Sequence, residues 1–407
     1  MIIQALQAYK DAYKGIGKPI WMLAVIQLIN RSGSMVLPFL TVYMTTSLGY
    51  SAVQAGTIMS VFGIGSLIGS YLGGRFTDRF GPFPVQLGSL ILGGLAYLIL
   101  PFLIEFYLLA AGVFICALIN DSLRPAILAM TTHFTTSENT TRSFSLLRMA
   151  INLGVAIGPA VAGMLAGVGY FWLFIGDGIT CMAAGVVSYY YFRNRRPEHK
   201  APTAAQTSSG SPYRNARFMF YMFLCFCYAA AFFQIFSGLP LYYKDVYGKT
   251  EHAIGLLLAL NGLIVFVFEM ITVSQIEKRF RPVQLVVTGT AMLGASFILL
   301  NAWHAPMALI VSMILLSFSE IFAMPFMISH VVKSSTQQTR GSYLAAYTIA
   351  WAVAFILSPY CSTMIIENYD YTALWWVVGI FCMLTAIGFS RTRSARPAEI
   401  TPVTDQD

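Results

Sequence analysis

The chain has 407 residues, 57% of them hydrophobic and only 10% charged, and carries a net charge of +8. Soluble domains average about 45–50% apolar and about 25% charged residues, so this balance excludes a water-soluble globule and a disordered chain. The positive surplus is arranged as membrane topology requires, which removes nucleic acid as a partner.

In chain order, apolar runs predict helical spans at about 19–45, 53–73, 84–104, 107–131, 143–165 and 170–192, and again at about 217–243, 252–275, 283–302, 305–331, 342–364 and 372–390. These runs are too long and too evenly apolar for transmembrane strands, which cross with about 9–11 alternating residues. Helices satisfy their own backbone inside lipid. The expectation is an all-α membrane protein of twelve transmembrane helices. The first run is too long for a signal-peptide core and is expected to remain a span.

The even-numbered connections and the chain ends carry Lys10, Lys14, Lys18, Arg75, Arg79, Arg142, the cluster from Arg193 to Arg217, Lys278, Arg279, Arg281, Lys333, Arg340, Arg391, Arg393 and Arg396. The odd-numbered connections carry only Lys244 and Lys249. The positive-inside rule then places both termini in the cytoplasm. Cys116, Cys181, Cys225, Cys227, Cys361 and Cys382 all fall in apolar runs and read as packing residues rather than disulfides or metal ligands.

Residues 193–216 are polar, basic and rich in Pro, Ser and Gly, as a flexible linker would be. They separate an N-terminal bundle at 1–192 from a C-terminal bundle at 217–392, which a short tail follows at 393–407. The halves match at an offset of 200: Arg79-Phe80 with Pro82 recurs as Arg279-Phe280 with Pro282, Pro125 as Pro325, and Pro159 as Pro359. Equal kinks at equal depths predict two pseudo-symmetric six-helix bundles.

After the second span stands Gly74-Arg75-Phe76-Thr77-Asp78-Arg79-Phe80-Gly81. It resembles the loop signature of the major facilitator superfamily, Gly-x-x-x-Asp-Arg-x-Gly, with Pro82 and Phe83 where a basic pair usually closes it. Gly74 would permit close helix approach, Asp78 would face a helix N-terminus, and Arg79 would pair with a carboxylate. In the fifth span, Gly154, Gly158 and Pro159, followed by Gly163, resemble the Gly-Pro motif that the family associates with antiporters. Gly154 and Gly158 form a small-residue face, expected to meet a helix of the other half. The resemblance covers the whole chain and implies secondary transport by alternating access.

Ionisable residues fall within the expected spans at Arg31, Asp121, Arg124, Arg148, Asp177, Glu269 and Glu320. Each costs about 2.5–3.5 kcal/mol or more at a helix centre, so such groups usually face a cavity or a partner. Arg31, Asp121, Arg124 and Glu320 fall in spans 1, 4 and 10, which in the family fold line the central cavity. On that reading Arg31 and Arg124 hold an anionic substrate group, with Asn30, Gln27 and Gln234 beside them, and Glu320 or Asp121 carries the coupling proton. Asp121 with Arg124 reads equally well as a fixed ion pair. Arg148 and Glu269, near the cytoplasmic ends of spans 5 and 8, are candidates for a gate. Span 7 is rich in aromatics that suit packing or an amphipathic solute, and Tyr242 and Tyr243 fit an interfacial belt. Asp177 reads as shallow and structural, and His330 as water-exposed.

The expected function is a proton-coupled secondary transporter of a small organic solute in the cell's inner membrane, with efflux favoured. The alternatives are a proton-driven importer of a zwitterionic nutrient, such as a peptide or amino-acid-like compound, and a non-transporting membrane sensor. No ATP-binding loop, nucleophile–base pattern or metal-ligand cluster is visible, so neither enzyme chemistry nor a cofactor is expected. The expected partners are a small molecule, protons and the lipid bilayer, and the expected state is a monomer.

Overall fold

A computed structural model describes residues 16–135, 139–195, 212–276, 279–336 and 339–392. It has twelve helices long and apolar enough to cross a membrane: Lys18–Thr46, Ala52–Phe80, Pro82–Phe102, Phe106–His133, Arg142–Val168, Phe171–Phe192, Ala216–Asp245, Glu251–Glu269, Pro282–Ala302, Met307–Lys333, Arg340–Asn368 and Tyr371–Ser390. Each expected span has its counterpart, called spans 1 to 12 below. Most of the expected linker (196–211) and the tail (393–407) lie outside the described residues.

Local sequence explains where the spans start. Ser51 and Gln54 form a capping box at the head of span 2. Pro82 and Pro282 occupy the first turns of spans 3 and 9, where a missing N–H costs nothing. Gly81 closes span 2 and opens span 3 at φ 88, a backbone conformation that favours glycine.

Three spans are interrupted. Span 1 consists of Lys18–Ser32 and Val36–Thr46, separated at Gly33-Ser34, the kind of small-residue pair that kinks helices. Span 7 consists of Ala216–Phe232, a 3-10 turn at Phe233–Phe236 and Gly238–Asp245. The breaks at 33–35 and 233–237 thus add a further match at the offset of 200. Span 4 divides at Ser122 into Phe106–Asp121 and Leu123–His133. Pro125 has no N–H for the Asp121 carbonyl; the Ser70 hydroxyl donates to that carbonyl instead, at 3.4 Å. Pro159, Pro325 and Pro359 lie within continuous helices.

The chain forms two compact units that cut across its order. The first comprises Met1–Thr203, Gln234–Phe266 and Ile356–Tyr371. Its first six spans enclose a core that includes Leu23, Ile26, Leu90, Met130, Leu146 and Phe192. Span 2 lies against span 4 along a glycine stripe: β-carbons on Gly65, Gly69 and Gly73 would come within 2.5, 2.2 and 2.5 Å of the span 4 backbone at Phe114, Leu118 and Ser122. The same unit holds the parts of spans 7, 8 and 11 nearest the odd-numbered connections. Span 8 crosses span 5 where a β-carbon on Gly255 would stand 2.4 Å from the Pro159 carbonyl, and span 2 crosses span 11 where one on Gly56 would stand 2.8 Å from the Pro359 carbonyl. Two prolines 200 residues apart therefore mark two equivalent crossings.

The second unit comprises Ala204–Phe233, Val267–Phe355 and Thr372–Asp407. Within it Phe297 stacks on Trp375 at 5.3 Å, and Tyr228, Phe232 and Phe233 gather round Trp351. His330, expected to be water-exposed, is half-buried: it stacks on Tyr221 at 4.1 Å, because an imidazole one turn from the helix end reaches back toward the aromatic core.

Candidate functional site

In the first unit the break of span 1 is the centre of the polar chemistry. Asp177 of span 6 is 2% exposed, and its Oδ2 accepts hydrogen bonds from the backbone N–H groups of Met35 (3.2 Å) and Val36 (2.8 Å). These bonds to backbone agree with the structural role expected for Asp177. A carboxylate at the exposed amides of a new helix satisfies donors that lipid could not.

Arg31 lies in the last turn before the break, and its Nε is buried without a hydrogen-bond partner. A β-carbon on Gly154 would stand 2.5 Å from Arg31 Cβ, and one on Gly158 would stand 3.2 Å from the carbonyl oxygens of Arg31 and Ser34. The Gly154–Gly158 face thus packs on span 1 of its own half. It was expected to meet the other half, but there the contacts are made by Ala156, Pro159 and Gly163, against Gly262 and Gly255. Without side chains, Gly154 and Gly158 admit the backbone of a broken helix.

Asp121 pairs with Arg124 one turn along span 4, at 2.6 Å, and both act electrostatically on Arg31. The pair is lopsided: the Asp121 side chain is 10% exposed and that of Arg124 is 61% exposed. Asn30 is buried and donates to Cys181 Sγ at 3.2 Å, whereas Gln27 is buried with Oε1 unpartnered. Gln234 donates through Nε2 to Ser358 Oγ at 3.0 Å, leaving its own Oε1 buried and unpartnered. The first unit thus brings Arg31, Asp121 and Arg124 together and leaves acceptor oxygens on Gln27 and Gln234.

In the second unit Glu320 is half-buried beside Ser319, whose hydroxyl is 3.0 Å from that of Tyr228. Arg148 belongs to the first unit and Glu269 to the second.

The loop signature is built differently from the expectation. A β-carbon on Gly74 would meet nothing within 4 Å, so the close approach is made by Gly73. Asp78 and Arg79 are exposed, and the Arg79 guanidinium lies 5.3 Å from the centre of the Phe80 ring. Neither takes part in an ion pair among the described residues.

Sequence reasoning passed over a polar cluster beside the odd-numbered connections. Glu251 Oε1 accepts from Lys244 Nζ (2.5 Å) and from the Tyr170 hydroxyl (2.9 Å), and Glu367 Oε2 accepts from the N–H of Val53 at 2.9 Å. Burial pushes the Tyr170 hydroxyl well above the ordinary phenol range, so it stays protonated and able to donate. Glu251 opens an apolar run, where an acid complements the helix dipole, and that was the signal available. Tyr242 and Tyr243 are buried against the protein, with Tyr242 against Tyr247 and Tyr371.

Twelve apolar spans that carry ionisable groups are the build of a multi-pass inner-membrane protein of the transporter class. The chain belongs to the Major Facilitator Superfamily, whose family model matches residues 21–359 and 247–406. It is 21% identical over 404 residues to the class H tetracycline resistance protein of Pasteurella multocida, covering 95% of this chain and 99% of that one. It is 22% identical to a Na(+), Li(+), K(+)/H(+) antiporter of Planococcus maritimus, covering 81% and 85%. Among solved structures, a POT family transporter in complex with 5-aminolevulinic acid superposes with a TM-score of 0.78 at 17% identity, covering 92% of this chain and 96% of that one. That likeness shows the fold.

Proposed function

We propose that the protein is a proton-coupled secondary transporter that exports a small organic solute by alternating access, with both termini in the cytoplasm and the halves 1–192 and 217–392 as its repeats. The observation that carries this reading is Arg31: a cation inside a membrane span, with a buried and unpartnered Nε, beside a broken helix and the Asp121–Arg124 pair. A buried guanidinium nitrogen left without a hydrogen bond is costly unless a ligand meets it. Proton exchange is supported by the antiporter relative, and a resistance role, which export would serve, by the tetracycline resistance relative, each aligned over most of its length.

Arg31, Arg124, Asn30, Gln27 and Gln234 are the substrate-facing candidates, with Asn30 already engaged by Cys181. Glu320 or Asp121 carries the coupling proton. The charge pattern of the sequence, arginines in the first half and Glu320 in the second, would also suit a zwitterion, which favours import of a peptide or amino-acid-like nutrient. Proteoliposome flux under an imposed pH gradient decides between the readings. Ethidium moving against the proton flow supports export, dipeptide moving with it supports import, and no pH-driven flux of any drug, peptide or amino acid overturns both.

A further inference from the structure

The break in span 1 is held from one side of span 6. Besides Asp177 on the amides of Met35 and Val36, Gly33 sits so close to Thr180 that a β-carbon would fall 1.8 Å from its Oγ1. A β-carbon on Gly176 would fall 2.8 Å from Met35 Sδ, and Asn30 donates to Cys181. Gly176, Asp177, Thr180 and Cys181 thus follow one helical face and grip residues 30–36, with Arg31 among them.

We propose that Asp177 is the positioning residue for Arg31: its carboxylate pins the second segment of span 1, and a proton taken up there from the aqueous phase frees the break and moves the guanidinium. This rests on the role proposed above for Arg31. An ionised carboxylate is a strong acceptor for two N–H groups at a helix N-terminus. The neutral acid loses both the charge and much of the acceptor strength. Arg31 from span 1 acts on Asp177, and Asp177 in turn acts on Tyr97 of span 3, Cys116 of span 4 and Cys181 of its own span. Span 5 approaches this side of span 6 through the apolar Leu165. Arg31 is thus the cation that the charge on Asp177 reaches through space, while its hydrogen bonds go to the Met35 and Val36 amides.

The test is hydrogen–deuterium exchange over residues 30–44 of the full-length protein in nanodiscs, at about pH 5.5 and about pH 8, corrected for intrinsic exchange. In the wild type, exchange at Met35 and Val36 should rise about tenfold at the lower pH. Asp177→Asn, which accepts but cannot titrate, should remove that pH dependence, and Asp177→Glu should restore it. Asp177→Ala should exchange fast at both values; if it does not fold, the Asn and Glu variants decide. Wild-type exchange that ignores pH, or an Asn variant that follows the wild type, overturns the proposal. In liposomes Asp177→Asn should also flatten the pH profile of ethidium flux. Absence of wild-type flux would defeat the transport reading and leave the exchange result to judge Asp177.

Discussion

The same crossing is built twice in this molecule, with different chemistry. Span 5 meets the break of span 1 through Gly154 and Gly158; 200 residues on, Ala354 and Ser358 of span 11 stand in the matching places, and Ser358 is hydrogen-bonded to Gln234 at the break of span 7. The first crossing is backbone against backbone, and the second is joined by side chains. Beside the first stands Asp177; its counterpart is Val377, 52% exposed. The first break is therefore held by an ionisable group, while the second closes on its own 3-10 turn, with Ser237 N–H donating to the Gln234 carbonyl at 3.2 Å. Duplication has kept the geometry of the crossing while the side chains that hold it have diverged.

The difference between the halves is broken most severely at Glu320. Glu320→Gln keeps size and hydrogen bonding but cannot release a proton, so pH-driven flux should be abolished while the protein still folds and inserts. Intact flux in liposomes would move the carrier to the first half, to Asp121 or Asp177. The next effect in size is steric. Gly154→Val would place a β-branched side chain where even a β-carbon stands 2.5 Å from Arg31 Cβ. Overpacking of this kind costs about 1–3 kcal/mol, and transport should fall about tenfold. The matching exchange in the second half, Ala354→Gly, should cost only about 1 kcal/mol through helix propensity. Equal losses at 154 and 354, read as flux per folded molecule, would show that the crossings are not differentiated.

A smaller effect is expected at Arg148 and Glu269, proposed as a cytoplasmic gate. Arg148→Glu or Glu269→Arg alone should lower flux several-fold, and the two together should restore part of it, as a double-mutant cycle requires of a coupled pair. Absence of rescue would leave Arg148 as a residue that reaches the membrane interface on its own.

Twelve spans were legible because each apolar run is long, and a run of that length has one reading in lipid. The repeat was legible because prolines leave marks at fixed positions. The breaks of spans 1 and 7 were not read, since each lies inside one continuous apolar run. Gly33-Ser34 was the only local hint in the first, and Phe233–Phe236 looks like ordinary helix. Arg31 and Asp121–Arg124 could be singled out because charge is rare in a span. The grip of Asp177 on Met35 and Val36 could not, because its partners are backbone amides separated from it by about 140 residues. The loop signature located its turn through Gly81, yet the helix contact belongs to Gly73, one residue from Gly74; a one-residue shift turns a helical position by about 100°.

The finest probe of the comparison is Gln234. Its Nε2 bond to Ser358 is a neutral hydrogen bond, worth about 0.5–1.5 kcal/mol, and its Oε1 has no partner to lose. Gln234→Ala should therefore lower thermal stability by a few degrees at most, and a loss of pH-driven flux larger than that stability change would mark Gln234 as substrate-facing. The sharper experiment rebuilds the second crossing in the image of the first, with Gln234→Ser and Ser358→Gly combined. If the backbone geometry is truly shared, glycine at 358 lets the helices meet as Gly158 and Ser34 do, and the double variant should be more stable than Ser358→Gly alone. If the double variant is no more stable, the side-chain bond itself sets the spacing of spans 7 and 11, and the likeness of the two crossings ends at the position of their breaks.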